Sequence, residues 1–276
     1  MKKLYLGYSP CPNDTFIFYA LTHQKIATDN IIFKEVLEDV ETLNFMALEG
    51  VLDITKVSYH AFGYLRDKYC LLRSGSALGF GCGPLVIAKE PFNIEELENK
   101  KIAIPGKLTT AHLLLQLMTQ KIKNVVVMQF DKIIDAVFKE KVDAGLIIHE
   151  SRFTYQNYGL KKIIDLGDWW EKETGLPIPL GGIIIKRSLG SDIIKKVDNA
   201  IHRSIEYAYA NPEKTKDYIK AHAQELDSDV IQQHICLYVN DYSLDLGEDG
   251  IFAVQYLFEK AQEKGILPKS DFPLFI

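Results

Sequence analysis

Absences narrow this 276-residue chain before any motif is read. It has only four cysteines (Cys11, Cys70, Cys82 and Cys236), scattered without a C-x-x-C pair or a histidine at zinc spacing. That excludes a disulfide scaffold and leaves no metal site legible in the sequence. No apolar stretch runs uninterrupted for roughly 18 residues, so no transmembrane helix is expected. Positive charge is not in surplus: 32 Lys and Arg against 37 Asp and Glu give a formal charge of −5. Nothing therefore advertises a nucleic-acid or membrane partner, and no partner protein is evident. Repeats of solenoid period and low-complexity tracts are also missing. The Walker pattern is absent, and Gly79-x-Gly81-x-Gly83 is followed by Pro84 and an extended run instead of a helix. Both phosphate-cofactor signatures fail on that count. Met1-Lys2-Lys3 opens like a signal peptide, but Ser9-Pro10-Cys11-Pro12-Asn13-Asp14 interrupts the apolar run that follows. The expected location is the cytoplasm, with thiols reduced.

What remains has an ordinary globular composition, with 47% hydrophobic and 25% charged residues. Strand-like runs at 4–8, 31–37, 54–57, 85–88, 101–104, 124–129, 144–148, 163–166 and 182–186 alternate with helix-like stretches. The latter fall at 15–23, 40–48, 59–65, 110–120, 131–139 and 151–158. This alternation predicts βαβ units and mostly parallel sheets. Beyond Arg187 the pattern is helical throughout, at 193–209, 212–222, 228–238 and 250–264. Gly- and Pro-rich extended stretches around 79–87 and 176–184 read as two crossings between lobes. The expected architecture is an α/β two-lobed clamshell, each lobe a mostly parallel sheet flanked by helices. Lobe 1 takes residues 1–86 and 187–276, and lobe 2 takes residues 87–186. A ligand in such a fold sits in the cleft, where strand C-termini and helix N-termini converge.

Four strand-to-helix junctions supply candidate cleft residues. Ser9, Asn13 and Asp14 lie in a proline-stiffened turn, with Asn13 or Asp14 able to cap the helix expected near Thr15. Lys56-Val57-Ser58 ends a buried strand; Ser58 either receives an anion or simply caps its own helix. Thr109-Thr110-Ala111 opens an apolar helix after Pro105-Gly106, offering hydroxyls beside free helix N–H groups. His149 closes a buried strand and is the side chain best suited to take a proton near neutrality. A lone histidine is more often structural than catalytic, but its position lifts His149 above His60 and His112, and above the four in helical stretches. Glu150 and Arg152 either tune it or sit in solvent. Cys11 reads as an inert thiol, and Asp168-Trp169-Trp170 as an aromatic wall or a core pair.

Read together, the junctions carry a resemblance. Ser9-Pro-Cys-Pro-Asn-Asp-Thr-Phe-Ile-Phe18, Lys56-Val-Ser-Tyr59, the run Gly75 to Pro84, Thr109-Thr-Ala111, His149-Glu-Ser-Arg-Phe-Thr-Tyr155 and Pro177-Ile-Pro-Leu-Gly-Gly182 occur in family order. With them the chain resembles the 1,4-dihydroxy-6-naphthoate synthases of the futalosine branch of menaquinone biosynthesis. The resemblance implies a fold like type-2 periplasmic binding proteins put to enzymatic use. It implies conversion of cyclic dehypoxanthine futalosine to 1,4-dihydroxy-6-naphthoate with release of dihydroxyacetone, without metal or organic cofactor. It further implies that His149 is the proton acceptor and that Lys56–Ser58 and Thr109–Ala111 contact the substrate. Chorismate dehydratase of the same pathway and a non-catalytic cytoplasmic solute-binding protein are the competing readings.

Overall fold

A computed structural model describes residues 1–224 and 227–276. The first portion of the chain alternates as expected: β1 (Lys2–Tyr8), α1 (Pro12–Thr22), β2 (Ile31–Leu37), α2 (Val40–Leu48), β3 (Ile54–Ser58) and the single turn α3 (Tyr59–Phe62). Two short strands follow, β4 (Tyr69–Leu71) and β5 (Ala77–Gly79). The middle portion holds β6 (Leu85–Ala88), β7 (Ile102–Ile104), α4 (Thr110–Met118), β8 (Val125–Val127), α5 (Ile133–Phe138), β9 (Ala144–Ile147), α6 (Ser151–Thr154), β10 (Lys161–Asp165) and α7 (Leu166–Thr174). The strand β11 (Ile178–Lys186) leads into α8 (Ser191–Ala210), α9 (Pro212–His222), α10 (Ser228–Tyr238), α11 (Asp241–Leu244) and α12 (Gly247–Glu263).

Two sheets result. The first runs β2-β1-β3-β11-β4 with β5 added to β11, and the second runs β10-β6-β9-β7-β8. Neither is mostly parallel, which corrects the expectation drawn from the alternation. The parallel pairs are β1 with β2 and β3, and β7 with β8 and β9. Every pairing made by β6, β10 and β11 is antiparallel. The reason lies in how those strands arrive. β11 returns to the first sheet only after the chain has traversed the second, and β6 comes straight off the first sheet with no helix between. A strand delivered that way is free of the βαβ handedness that makes neighbours parallel.

Local chemistry explains the remaining differences. Helix α1 starts at Pro12, three residues earlier than expected, with Cys11 as its N-cap. Pro at the first helical position loses no needed donor and presets φ, so the prolines begin the helix instead of preceding it. Asn13 and Asp14 therefore lie inside the first turn and do not cap it. Residues 12–21 of α1 are buried on every side, which gives the helix no polar stripe to read. Helix α8 is the opposite case, burying Ile194, Val197, Ile201, Ile205 and Ala208 along one stripe. The strands β4 and β5 are too short to show a period of two. Helix α7 begins where the sequence reads as strand, because Asp165 accepts from the Gly167 and Asp168 N–H groups. On α7, Trp170 is buried in the core and donates to the Pro177 carbonyl.

Apolar clusters lie on the faces of both sheets. One gathers Leu4, Leu6, Ile17, Ile183 and Ile201, and another gathers Ile87, Ala103, Ile133, Val137 and Ile147. A third is continuous from Val57 and Leu71 through Val86 and Leu113 to Leu257. At the first crossing a Cβ on Gly83 would meet the Gly167 nitrogen at 2.1 Å, so only glycine lets these backbones touch. Among the described residues no helix is long and apolar enough to cross a membrane.

Candidate active site

The cavity that collects the candidate residues holds about 710 Å³ of empty space, part of it open to solvent. Its lining includes Ser9, Asn13, Asp14, Lys56, Val57, Ser58, Thr109, Thr110, Ala111 and His149, so segments far apart in sequence meet there. Strand β5 contributes Ala77, the crossings contribute Cys82, Pro84, Leu180 and Gly181, and α10 contributes Tyr238.

On one wall lies a buried ion pair. Lys56 Nζ is 2.9 Å from Asp14 Oδ1, with side chains 7% and 3% exposed. Taking both charges out of water is expensive, and only added hydrogen bonds make such a pair tolerable. They are present. Lys56 also donates to the Gly75 carbonyl at 2.9 Å. Asp14 accepts from the Ser9 N–H at 3.2 Å, the Ser9 hydroxyl at 2.9 Å and the Asn13 amide at 3.0 Å. The pair is locally neutral, so it brings no net charge to an anionic ligand.

The Ser58 hydroxyl caps nothing. Its oxygen accepts from Asn44 Nδ2 at 3.3 Å while its backbone N–H donates to Asn44 Oδ1 at 3.0 Å. The same α2 residue and its neighbour Glu41 reach the turn before α4: Asn44 donates to the Leu108 carbonyl, and Glu41 accepts from the Leu108 N–H at 3.1 Å. A Cβ on Gly106 would lie 2.3 Å from the Glu41 carboxyl carbon and would push that carboxylate off the Leu108 N–H.

At the start of α4 the division of labour differs from the expectation. Both threonine hydroxyls are committed: Thr109 caps the helix by accepting from the His112 N–H and donates to the Gly106 carbonyl, and Thr110 donates to the Leu180 carbonyl. Among the described residues the backbone N–H groups of Thr110 and Ala111 have no acceptor. First-turn amides are the ones a helix cannot satisfy internally, and they carry its positive end. The donors offered to a ligand are thus amides.

His149 follows β9 with φ +55°, a left-handed conformation uncommon outside glycine that aims the ring into the cavity. The ring lies between Phe130, at 5.0 Å between centroids, and His234 of α10, at 6.1 Å and nearly parallel with 10° between planes. Burial pushes its pKa down from 6.5 to about 4, partly offset by the Asp14 carboxylate. The imidazole is therefore neutral near pH 7. Neither ring nitrogen makes a hydrogen bond among the described residues. Arg152 does not tune it: the guanidinium binds Asp165 at 2.7 Å and the carbonyls of Gly81 and Gly83, bracing the first crossing.

Cys11, His149 and Glu150 bring donor atoms within 4.8 Å of one another. Burial together with the Glu150 charge pushes the Cys11 thiol well above its usual pKa.

His234 and Tyr238 were not singled out from the sequence. Both sit on the buried face of α10 with Ile231 and Ile235. A histidine interrupting an apolar stripe was the one available signal.

A cleft lined by loops from two mixed α/β sheets is the architecture of the type-2 periplasmic binding proteins. The alkanesulfonate-binding protein of Xanthomonas axonopodis pv. citri, solved bound to MOPS, superposes with a TM-score of 0.74 over 98% of this chain and 95% of its own, at 13% identity. That likeness concerns fold alone. The family described as Menaquinone biosynthesis matches residues 4–263. The 1,4-dihydroxy-6-naphthoate synthase of Thermus thermophilus is 52% identical over 276 residues, covering 100% of both chains. That of Streptomyces coelicolor is 45% identical over 270 residues, covering 96% of this chain and 95% of its own. The chain belongs to this menaquinone-biosynthesis family and is an enzyme of the 1,4-dihydroxy-6-naphthoate synthase class, with a small-molecule substrate.

Proposed function

We propose that the chain cleaves cyclic dehypoxanthine futalosine to 1,4-dihydroxy-6-naphthoate and dihydroxyacetone, with His149 as the proton acceptor. The observation that carries this reading is a neutral imidazole that makes no hydrogen bond among the described residues, in the same cavity as the Thr110 and Ala111 amides that find no acceptor among them. A general base must be unprotonated and within reach of a substrate proton, and this ring meets the first condition without competition from a protein acceptor.

In the proposed reaction His149 takes a hydroxyl proton from the spirocyclic substrate. The electron pair left on oxygen forms a carbonyl as the carbon–carbon bond to the sugar-derived fragment breaks in a retro-aldol sense, and the pair of the broken bond passes to a ring carbonyl as an enolate that takes the proton back from the His149 imidazolium. Aromatisation of the remaining bicycle supplies the driving force. The Thr110 and Ala111 amides hold the substrate carboxylate, with Ser58 and the third N–H of Lys56 on neighbouring oxygens. The buried ion pair leaves the carboxylate to these oriented dipoles, which need no reorganisation during the reaction. Two lobes, one built on the β2-β1-β3-β11-β4 sheet and the other on the β10-β6-β9-β7-β8 sheet, close over the substrate and exclude water.

Incubation with purified cyclic dehypoxanthine futalosine, followed by the naphthoate absorbance, tests the reaction. A positioned base contributes roughly 10²- to 10⁴-fold, so His149→Asn lowers kcat by about that factor with substrate binding retained. Wild-type turnover in that variant would remove His149 from the mechanism.

A further inference from the structure

A histidine base is commonly oriented by a hydrogen bond from its second nitrogen to a carboxylate or carbonyl. Among the described residues His149 makes no such bond: Cys11 and Glu150 lie within 4.8 Å without bonding it, and two aromatic rings face it. Phe130 lies tilted at 5.0 Å, and His234 lies nearly coplanar in orientation at 6.1 Å. Resting on the reading of His149 as base, we propose that His234 is its positioning residue, a locked neutral plate that sets the ring of His149 in place of an orienting carboxylate.

The lock can be followed atom by atom. His234 is fully buried, and its Nε2 lies 3.0 Å from Asn13 Oδ1. The Asn13 amide cannot be turned round, because its Nδ2 donates to Asp14 Oδ1, and that oxygen is held by Lys56 Nζ. With the Asn13 oxygen facing it, Nε2 must carry the proton. Nδ1 is then a bare acceptor, 4.0 Å from Glu150 Oε2 and without a hydrogen bond. A leucine or phenylalanine would fill this space without leaving a buried nitrogen unmet, so packing alone does not account for the imidazole.

The partner's chemistry matters as much as its position. An amide oxygen holds the Nε2 proton without drawing a second proton onto the ring, as a carboxylate would. Burial and the neighbouring His149 disfavour charge on His234 in the same direction. A neutral His234 lets His149 become cationic on taking the substrate proton, whereas an imidazolium at this distance would oppose it. Among the described residues the other titratable groups facing the pair are Cys11, Asp14, Asp39, Lys56, Glu150 and Tyr238.

Steady-state kinetics and imidazole ¹⁵N NMR on the full chain test the assignment. His234→Ala lowers kcat by about a hundredfold with KM changed less than about threefold, as expected for a misplaced base. His234→Phe, which keeps a flat ring in the slot, recovers about tenfold of that loss. In the wild type, NMR finds His234 as the neutral Nε2–H tautomer, and in His234→Ala the His149 titration moves up from about 4 toward 6.5 as water enters. Wild-type kcat in His234→Ala, or equal losses in the alanine and phenylalanine variants with the His149 titration unmoved, would overturn the proposal. Should the alanine variant not fold, His234→Leu against His234→Phe makes the same comparison. Failure of the underlying reading looks different: His149→Asn would then turn over normally, whatever His234 does to the titration of His149.

Discussion

The molecule carries two pairs of facing histidines, and the contrast between them separates burial from function. His149 and His234 have ring centroids 6.1 Å apart, and His60 and His112 have theirs 6.3 Å apart. All four are pushed below the ordinary histidine pKa, in each case chiefly by burial, and His60, like His149, comes to about 4. Titration therefore does not tell the pairs apart. Anchoring does. His60 Nδ1 is tied to the Thr109 carbonyl at 3.2 Å and His112 Nδ1 to the Lys107 carbonyl at 3.0 Å, so both rings brace the turn before α4. Among the described residues His149 has no such tie, and it opens into the cavity. A perturbed pKa marks a buried histidine; an unanchored one facing a ligand cavity is the stronger sign of chemistry.

The largest expected effect breaks the first pair. Besides the 10²- to 10⁴-fold loss in His149→Asn, the pH profile of the wild-type enzyme is diagnostic. A base whose conjugate acid titrates at about 4 gives a kcat/KM that stays level through neutrality and falls only near that pH. An acidic limb at 6.5 would mean that a solvated histidine, or a different group, is the base.

Next comes the Lys56–Asp14 pair on which the Asn13–His234 contact rests. Removing one partner strands a buried charge, so Lys56→Met costs about 3–5 kcal/mol of unfolding free energy. Chemical denaturation measures it, and a double replacement, Lys56→Met with Asp14→Leu, recovers part of the loss. If the single variant were as stable as the wild type, the charge of Asp14 would have to be accommodated elsewhere.

How far such detail was legible beforehand depended on the range of the interaction. The elements β2, α2, β6 and α9 agree with the sequence to the residue, because period, caps and breakers act within a few positions. The junctions at Ser9, Lys56, Thr109 and His149 were legible for the same reason: a polar cluster interrupts an apolar run. What was hidden depends on distant partners. The antiparallel entry of β6 and β11 follows from the path through the other sheet. Asn44 declares itself only when Ser58 is found opposite, and His234 only when α10 brings it beside a residue 85 positions earlier, the difference between 234 and 149. The committed hydroxyl of Thr110 is likewise set by the Leu180 carbonyl, 70 residues away.

Acid stability treats the two pairs alike, and so sharpens the claim that titration does not separate them. For His60 and His149 the folded pKa lies below the unfolded value of 6.5, so between 6.5 and about 4 the unfolded chain binds more protons. Their contribution to stability is complete above 6.5 and is lost as pH falls toward 4. Tm should decline across that window, and less steeply in His60→Phe or His149→Asn. An unchanged slope in both variants would assign the acid sensitivity to carboxylates instead.

The smallest effect concerns the second pair alone. In His60→Phe the ring still fills its slot, but the hydrogen bond from Nδ1 to the Thr109 carbonyl is lost. That carbonyl keeps the Leu113 N–H at 3.1 Å, and the main-chain contact from the residue 60 N–H to the Thr110 hydroxyl survives any side-chain change. The cost should be about 1 kcal/mol of stability, that of one ordinary hydrogen bond. Because the turn carries the amides proposed to bind the substrate carboxylate, loosening it raises KM about twofold to fivefold and leaves kcat nearly unchanged. A large fall in kcat instead would place His60 in the role proposed for His149, and anchoring would no longer distinguish the two pairs.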